Sequence, residues 1–325
     1  MRNASLGELL KVWLYAGCAV LLGAWLAPLV HDAGKALADV SSAKQINAPI
    51  HSLAAHCRAA NFHDFYRSSL LLAALILLPP FSDWLARGRG AGFGKLIALT
   101  RPGTSHSHHA LTHNPLGIKQ ALHGFSRVTG LLLAITAALT LGGLLEWKNP
   151  SVPLSSLVLG TLAAAIIHAS LQEILFRGIA MSVFLQALPA RMAALMSACL
   201  FTLTHLALQA AKAPLAAPDA SDAGWQMLMQ TFSQLIHFQY AITTLVPLLA
   251  LGSVLACARL RTASLWLPVG LHAAWSFASQ LSAGMTSPAA DPPAITGLIP
   301  LASILAIHFV ARHLPPQLHA APTES

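Results

Sequence analysis

The sequence predicts an all-α polytopic membrane protein with about eight transmembrane helices. Hydrophobic residues make up 55% of its 325 residues and charged residues only 9%, whereas soluble domains carry about 25% charged residues. Several apolar runs approach or exceed the roughly 18 residues that mark a membrane-spanning helix. The predicted spans are about Leu9–Val30, Arg67–Phe81, Gly124–Trp147, Leu154–Leu188, Met192–Ala211, Tyr240–Ala258, Ser264–Ser282 and Ile295–Val310.

Two of these runs have more than one interpretation. The first could be a signal peptide, since Ala36-Leu37-Ala38 loosely resembles a cleavage site. That tripeptide lies well past the apolar stretch, so we favour a retained anchor. The fourth run is long enough to be one tilted helix or two broken pieces.

We predict a two-helix N-terminal extension with a cytoplasmic loop (1–120), a membrane core (121–312) and a disordered tail (313–325).

The basic residues indicate the topology. The net charge is +8, and the Lys and Arg side chains cluster after the second, fourth, sixth and eighth spans, on one side of the bilayer. The positive-inside rule makes this side cytoplasmic. We therefore expect an integral protein of the bacterial inner membrane with both termini in the cytoplasm, and no nucleic-acid partner. The clustered residues are Arg87, Arg89, Lys95, Arg101, Lys119, Arg191, Arg259, Arg261 and Arg312.

A carboxylate at bilayer depth is the first indication of function. Glu173 is the only carboxylate between Glu146 and Asp219, and it lies inside the fourth run. A charged side chain at the bilayer centre costs roughly 2.5–3.5 kcal/mol on insertion scales, so such residues usually face a site or a partner. Arg177 follows four residues later, on the same helix face, where the two side chains can pair. Gln172 points about 100° away around the helix.

Two further polar groups lie in later apolar runs. His205 ends the segment FTLTH in the fifth run, and the segment HAAWS places His272 and Ser276 four residues apart in the seventh. A lone membrane histidine is more often a structural hydrogen-bonding group than a ligand, and Glu173 with Arg177 could be a structural ion pair. A carboxylate and two histidines on three helices can also converge as acid–base machinery or as a metal site.

These segments resemble the motifs of the CPBP family, the CAAX-protease and bacteriocin-processing intramembrane endopeptidases, also called the Abi family. Its pattern is Glu-Glu-x-x-x-Arg, then Phe-x-x-x-His, then His-x-x-x-Asn, on successive membrane helices. The segments QEILFRG, FTLTH and HAAWS follow this order and spacing over about residues 150–285. Gln172 replaces the first glutamate of the pattern, and Ser276 replaces its asparagine.

The resemblance implies a role for each of these residues. Gln172 and His205 would hold the attacking water, His272 and Ser276 would face the oxyanion, and Glu173 would pair with Arg177. A glutamine amide cannot accept a proton near neutral pH, and general-base catalysis typically contributes about 10²–10⁴-fold. His205 would then serve alone as the base, or Glu173 would shift into the site. A serine hydroxyl can still donate to an oxyanion, with a shorter reach than asparagine.

The sequence leaves three functions open. The first is an intramembrane endopeptidase that hydrolyses membrane-associated peptides or protein tails. The second is a catalytically impaired relative that acts as a membrane binding, immunity or scaffold protein, an interpretation that Gln172 favours. The third is a transporter, which can also use a membrane Glu–Arg pair, although no repeated pair of broken helices is evident.

Metal binding is a further alternative. Glu173, His205 and His272 could supply three ligands to Zn²⁺, whereas the family resemblance favours metal-independent chemistry without a cofactor. The cytoplasmic loop at 106–113 carries His106, His108, His109 and His113. Such a tract can bind Zn²⁺ or Ni²⁺, although a soluble, flexible loop is the simpler interpretation.

Overall fold

The computed structural model describes residues 6–43, 47–87, 114, 116–150, 152–208, 218, 220–235, 244–289, 304–305 and 307–313. The predicted histidine-rich loop at 106–113 lies outside these residues. The helices are α1 (Leu6–Ala43), α2 (Ala48–Ala59), α3 (Phe62–Arg87), α4 (Gly117–Leu141), α5 (Leu154–Glu173), a π-helical segment (Ile174–Ala180), α6 (Met181–Ala187), α7 (Ala190–Leu208), α8 (Ala223–Leu235), α9 (Val246–Thr262) and α10 (Trp266–Met285). Two short strands, β1 (Leu145–Trp147) and β2 (Thr286–Pro288), complete the described elements.

The all-α membrane fold is confirmed. Five helices in the described part of the chain are long and apolar enough to cross a membrane, and each overlaps one of the first five predicted spans. The third predicted span, Gly124–Trp147, is shifted: the helix is Gly117–Leu141, and Leu145–Trp147 is a strand. The predicted count of eight is not confirmed. The sixth and seventh runs form α9 and α10, which are not among the five, and the eighth lies partly outside the described residues.

The chain packs into two compact units, the first formed by residues 1–4, 94–201 and 242–325 and the second by 5–93 and 202–241. The units follow packing rather than chain order, because α7 contributes residues to both. The boundaries that we predicted at 120 and 312 follow chain order, and they stay a prediction.

Helix α10 is the centre of the first unit, where it packs against α4 and α5. A Cβ atom at Gly270 would lie 2.2 Å from the carbonyl oxygen of Ala121, so only glycine permits this approach of α10 to α4. On the α5 side, Ala165 packs with Phe277 and Leu281 in an apolar cluster. Small residues at helix contacts are how membrane helices approach closely, and this contact brings the end of α5 beside α10.

The two strands connect the ends of α4 and α10. They pair antiparallel, with Glu146 opposite Ser287. The backbone N–H of Lys148 donates to the carbonyl of Met285 at 3.0 Å, which extends the pairing to the last residue of α10. The pairing therefore fixes the register of α10 against α4.

The fourth predicted run is one continuous helix rather than two broken pieces. It spans Leu154–Ala187, with the π-helical segment in its second half. The N–H of Met181 bonds to the carbonyl of Phe176, an i→i+5 bond that α-helices do not make. Beyond the π segment, Met181 packs with Ala194 of α7 and Ala256 of α9. The two halves of this span therefore pack on different partners.

The second unit is built on α1, which packs against α2, α3 and α8. Helix α1 continues to Ala43, well beyond the predicted end at Val30, through a more polar segment. In this segment Nζ of Lys35 donates to the carbonyl oxygens of Cys57 at 3.2 Å and Ala60 at 2.8 Å. These bonds satisfy carbonyls at the end of α2, which a helix cannot satisfy within itself.

Candidate functional site

The predicted site residues lie on three helical stretches. Gln172 and Glu173 end α5, Arg177 lies in the π segment, and His272 and Ser276 lie on α10. All five belong to the first unit. His205 lies on α7, one helical turn after Phe201, in the part of that helix assigned to the second unit. It is buried, with 5% of its surface exposed.

Glu173 is the centre of the polar contacts in the first unit. Its Oε1 accepts a bond from Nη1 of Arg177 at 3.1 Å and lies 2.8 Å from Nδ1 of His272. The exposed fraction is 0% for Glu173 and Arg177 and 1% for His272. Two ionisable groups, Arg177 and His272, therefore contact one buried carboxylate oxygen of a third, Glu173. Ionisable residues in such a position usually mark a functional site.

The guanidinium of Arg177 is held on three sides. Besides its bond to Glu173, Nη2 donates to the carbonyl oxygen of Gly252 at 3.0 Å. Its Cζ lies 4.4 Å from the centroid of the Phe201 ring, within cation–π range. Glycine at position 252 lets α9 lie close to α7, because a Cβ atom there would be only 3.1 Å from Cα of Ala198. A buried cation is stable only when it is paired and hydrogen-bonded. These contacts pair the charge and bond both Nη atoms, whereas Nε has no hydrogen-bond partner among the described residues.

The contact with Glu173 sets the orientation of the His272 ring. Nδ1 of His272 lies 2.8 Å from Oε1 of Glu173, and which of the two atoms donates depends on the tautomer of the ring. The Phe201 ring meets the imidazole edge-on, with centroids 5.6 Å apart. Phe201 thus contacts both groups that bind Glu173.

Gln172 presents a buried amide that has no hydrogen-bond partner among the described residues. It is 2% exposed, and neither its Oε1 nor its Nε2 is bonded within the described part of the chain. The second carboxylate oxygen of Glu173, Oε2, is in the same situation there. Buried polar groups are rarely left unpaired, because each costs about 1–3 kcal/mol. An amide that can donate and accept is suited to a water molecule or to a peptide group.

Ser276 is bonded to its own helix. Its Oγ accepts a hydrogen bond from Nε2 of Gln280 at 2.9 Å, and the side chain is half-buried. The hydroxyl hydrogen remains able to donate, since accepting a bond uses only an oxygen lone pair. Ser276 lies one turn beyond His272 on α10, as the four-residue spacing requires.

The metal alternative concerns Glu173, His205 and His272. Within either unit, the described residues contain no group of three His, Cys, Asp or Glu side chains that would hold a metal ion. Oε1 of Glu173 and Nδ1 of His272 are in contact, and the guanidinium of Arg177 on the same oxygen would repel a cation there. The metal set with His205 stays a prediction for metal analysis.

Sequence reasoning missed three features of the site. It predicted the Glu173–Arg177 proximity but not the Glu173–His272 contact, which joins residues 99 positions apart. It identified Phe201 only as the first residue of the segment FTLTH and assigned no contact or function to it. It did not identify Gly252, for which a glycine within an apolar run was the only signal.

Comparison with known proteins adds one finding. Residues 153–278 match the family model described as type II CAAX prenyl endopeptidase Rce1-like. The match includes all six predicted site residues, and it confirms the resemblance to the CPBP family. Comparison with curated proteins and with solved structures gives no significant match.

Proposed function

We propose that this membrane protein, whose residues 153–278 match the Rce1-like family model of type II CAAX prenyl endopeptidases, hydrolyses peptide bonds at or within the bilayer. The family supports a CAAX-type intramembrane protease. The observation that carries the proposal is the buried group of Glu173, Arg177 and His272 at 0–1% exposure. Its substrates would be membrane-associated peptides or protein tails that enter from the lipid bilayer.

The proposed reaction is the addition of water to a peptide carbonyl. Following the family resemblance, Gln172 and His205 hold the water, and the hydroxyl of Ser276 donates to the oxyanion of the tetrahedral intermediate. The C–N bond then breaks, and the amine nitrogen takes a proton. Preorganised donors at an oxyanion are worth about 2.7–4 kcal/mol each. The amide of Gln172, which has no hydrogen-bond partner among the described residues, supports the water-holding role. Because an amide cannot take the proton of the water, His205 takes that proton as the base and gives it to the amine nitrogen when the C–N bond breaks.

A cleavage assay on single histidine variants tests the proposal. The protein, in detergent or liposomes, is incubated with a mixed library of membrane peptides, and products are identified by mass spectrometry. His205→Ala and His272→Ala should each abolish cleavage while membrane insertion is unchanged. His308→Ala, at an exposed histidine, is the matched control and should leave cleavage unchanged. Unchanged cleavage in both site variants would refute the assignment.

Gln172 supports a second candidate, a relative that binds membrane peptides without cleaving them. In this case the protein keeps the polar site and lacks an effective base. The Gln172→Glu variant separates the two candidates. If only that variant cleaves, the protein as it stands is a binding, immunity or scaffold protein; if the unchanged chain cleaves, it is an enzyme.

A further inference from the structure

We propose that the side of β1 that does not face β2, the docking edge, binds an extended segment of the substrate as a third strand. This inference rests on the proposed endopeptidase function and identifies where the substrate chain is held during cleavage. The partner is the backbone of an extended, membrane-inserted peptide, so recognition at this edge tolerates many sequences. The strands and the helices that they connect all belong to the first unit.

The register of the sheet directs backbone groups of β1 away from β2. The N–H of Lys148 donates to the carbonyl of Met285. Hydrogen-bonded pairs recur at every second residue of an antiparallel ladder, so Glu146 and Ser287, which lie opposite each other, are the next bonded pair. The first and last residues of β1 therefore direct their N–H and C=O groups to the docking edge.

The docking edge is the open edge of this sheet. No described residue forms a hydrogen bond with the N–H or C=O group of Leu145 or Trp147. The opposite edge, on β2, offers no free donor: Pro288 has no N–H, and the N–H of Thr286 already donates to the carbonyl of Ser282. An open edge with two donors and two acceptors is a template for another strand.

The docking edge lies where a peptide would leave the bilayer. It begins four residues after the last residue of α4, a helix long and apolar enough to span the membrane. Leu141 is 89% exposed and Trp147 is 60% exposed, and exposed tryptophan is typical of the membrane interface. A substrate helix can unwind in lipid only if other groups replace its internal hydrogen bonds. Strand addition supplies such bonds through the main chain.

One face of α10 connects the sheet with the candidate site. His272, Ser276, Ser279 and Ala283 lie within about 60° of one another around the helix. Ser276 is half-buried, and Ser279 and Ala283 are exposed. The helix rises about 20 Å from His272 to Met285, a distance that an extended chain covers in about six residues. We therefore expect the cleaved bond to lie about six residues from the segment bound at the docking edge.

Amide hydrogen exchange with a synthetic peptide tests the docking edge. The probe is a peptide of four Val-Thr repeats between lysine pairs, and its control is the same peptide N-methylated at every valine and threonine. In the protein in detergent, followed by NMR, the probe should slow exchange of the Leu145 and Trp147 N–H groups by about tenfold or more. The methylated peptide should leave exchange unchanged, because it has no donors to pair.

Three results of this experiment would overturn the inference. They are no slowing by the probe, equal slowing by the methylated peptide, and slow exchange without peptide that increases with protein concentration. The last result would mean that a second copy of the chain occupies the edge.

Two variants separate the backbone donor from the side chain. Trp147→Pro and Trp147→Ala both remove the indole ring, but only proline removes the outward N–H. The probe should bind Trp147→Pro about fivefold or more weakly than Trp147→Ala, and equal affinities would overturn the inference. Slow exchange of the Lys148 N–H, which is bonded within the sheet, shows that β1 and β2 remain paired. If proline unpairs them, the exchange experiment on the unchanged protein decides.

Cleavage mapping distinguishes failure of this inference from failure of the proposed function. A longer peptide carries the Val-Thr repeat next to a uniform alanine–leucine segment, and its products are identified by mass spectrometry after incubation in liposomes. Moving the repeat by two residues should move the cleaved bond by two residues. A cleaved bond that stays in place would refute the docking edge, whereas slowed exchange at Leu145 and Trp147 without cleavage would refute only the protease proposal.

Discussion

Replacing Arg177 with methionine should destabilise the protein by about 3–5 kcal/mol, the usual cost of breaking a buried ion pair from one side. Methionine keeps an unbranched apolar side chain but removes the charge. The carboxyl group of Glu173 would then be buried at 0% exposure without its guanidinium partner. The carbonyl of Gly252 would also lose its donor at 3.0 Å. The stacking on Phe201, worth about 0.5–2 kcal/mol, is lost as well and falls within this range.

The assay is equilibrium or thermal unfolding in detergent, followed by circular dichroism or tryptophan fluorescence. Arg191→Met is the matched control, since Arg191 begins α7 and its side chain is exposed. Exposed substitutions of this kind usually change stability by less than about 0.5 kcal/mol. The Arg177→Met variant should therefore unfold at a clearly lower denaturant concentration than Arg191→Met.

A double variant separates charge from packing. Adding Glu173→Gln to Arg177→Met removes the uncompensated carboxylate, so the double variant should be more stable than the sum of the two single losses predicts. Coupling energies between contacting residues are typically about 0.5–3 kcal/mol. If Arg177→Met unfolds like Arg191→Met, or if the two changes are additive, the ion pair does not stabilise this fold and the reasoning fails.

Three further predictions follow from the same geometry. Gly252→Ala should lower the free energy of unfolding by about 1–3 kcal/mol, because the added methyl group overpacks against Ala198. The control Gly130→Ala, at a position with open space around it, should be neutral or slightly stabilising. Equal effects of the two changes in a melting assay would contradict this prediction. Gln172→Leu should raise the free energy of unfolding by about 1–3 kcal/mol, because it removes a buried amide without a hydrogen-bond partner among the described residues. The same change should abolish any cleavage. A loss of stability would show that the amide does have a hydrogen-bond partner. Cleavage should persist after treatment with a chelator, with no stoichiometric zinc in elemental analysis; loss of activity that Zn²⁺ restores would favour the metal alternative.

Local patterns in the sequence were sufficient to predict one contact of the candidate site. Glu173 and Arg177 were predicted to meet because residues four apart share a helix face, and the two side chains are in contact. The start of the fourth span at Leu154 was also correct, because it follows Pro153, and proline commonly precedes or begins a helix. These features depend on neighbouring residues, which a single sequence displays.

Contacts between distant segments could not be predicted in this way. The Glu173–His272 bond depends on how closely α10 approaches its neighbours, and that approach depends on glycine and alanine positions such as Gly270 and Ala165. Small residues in an apolar run carry no signal about which helix they will meet. The extension of α1 past Val30 was missed for a related reason, because Lys35 is satisfied by α2 carbonyls that hydropathy does not reveal.

The π-helical segment Ile174–Ala180 allows the two halves of one membrane span to pack against different helices. Before it, the face of α5 is fixed by α10; after it, the face of α6 is fixed by α7 and α9. In a uniform α-helix the side chains of both halves would follow one constant rotation of 3.6 residues per turn. The wider i→i+5 turns shift that rotation midway along the span, so the two halves can direct different faces to their partners. Arg177 lies in these wider turns. The residue that neutralises Glu173 is therefore also located where the span changes its rotation, so the charge balance of the site and the alignment of three helices depend on the same few residues.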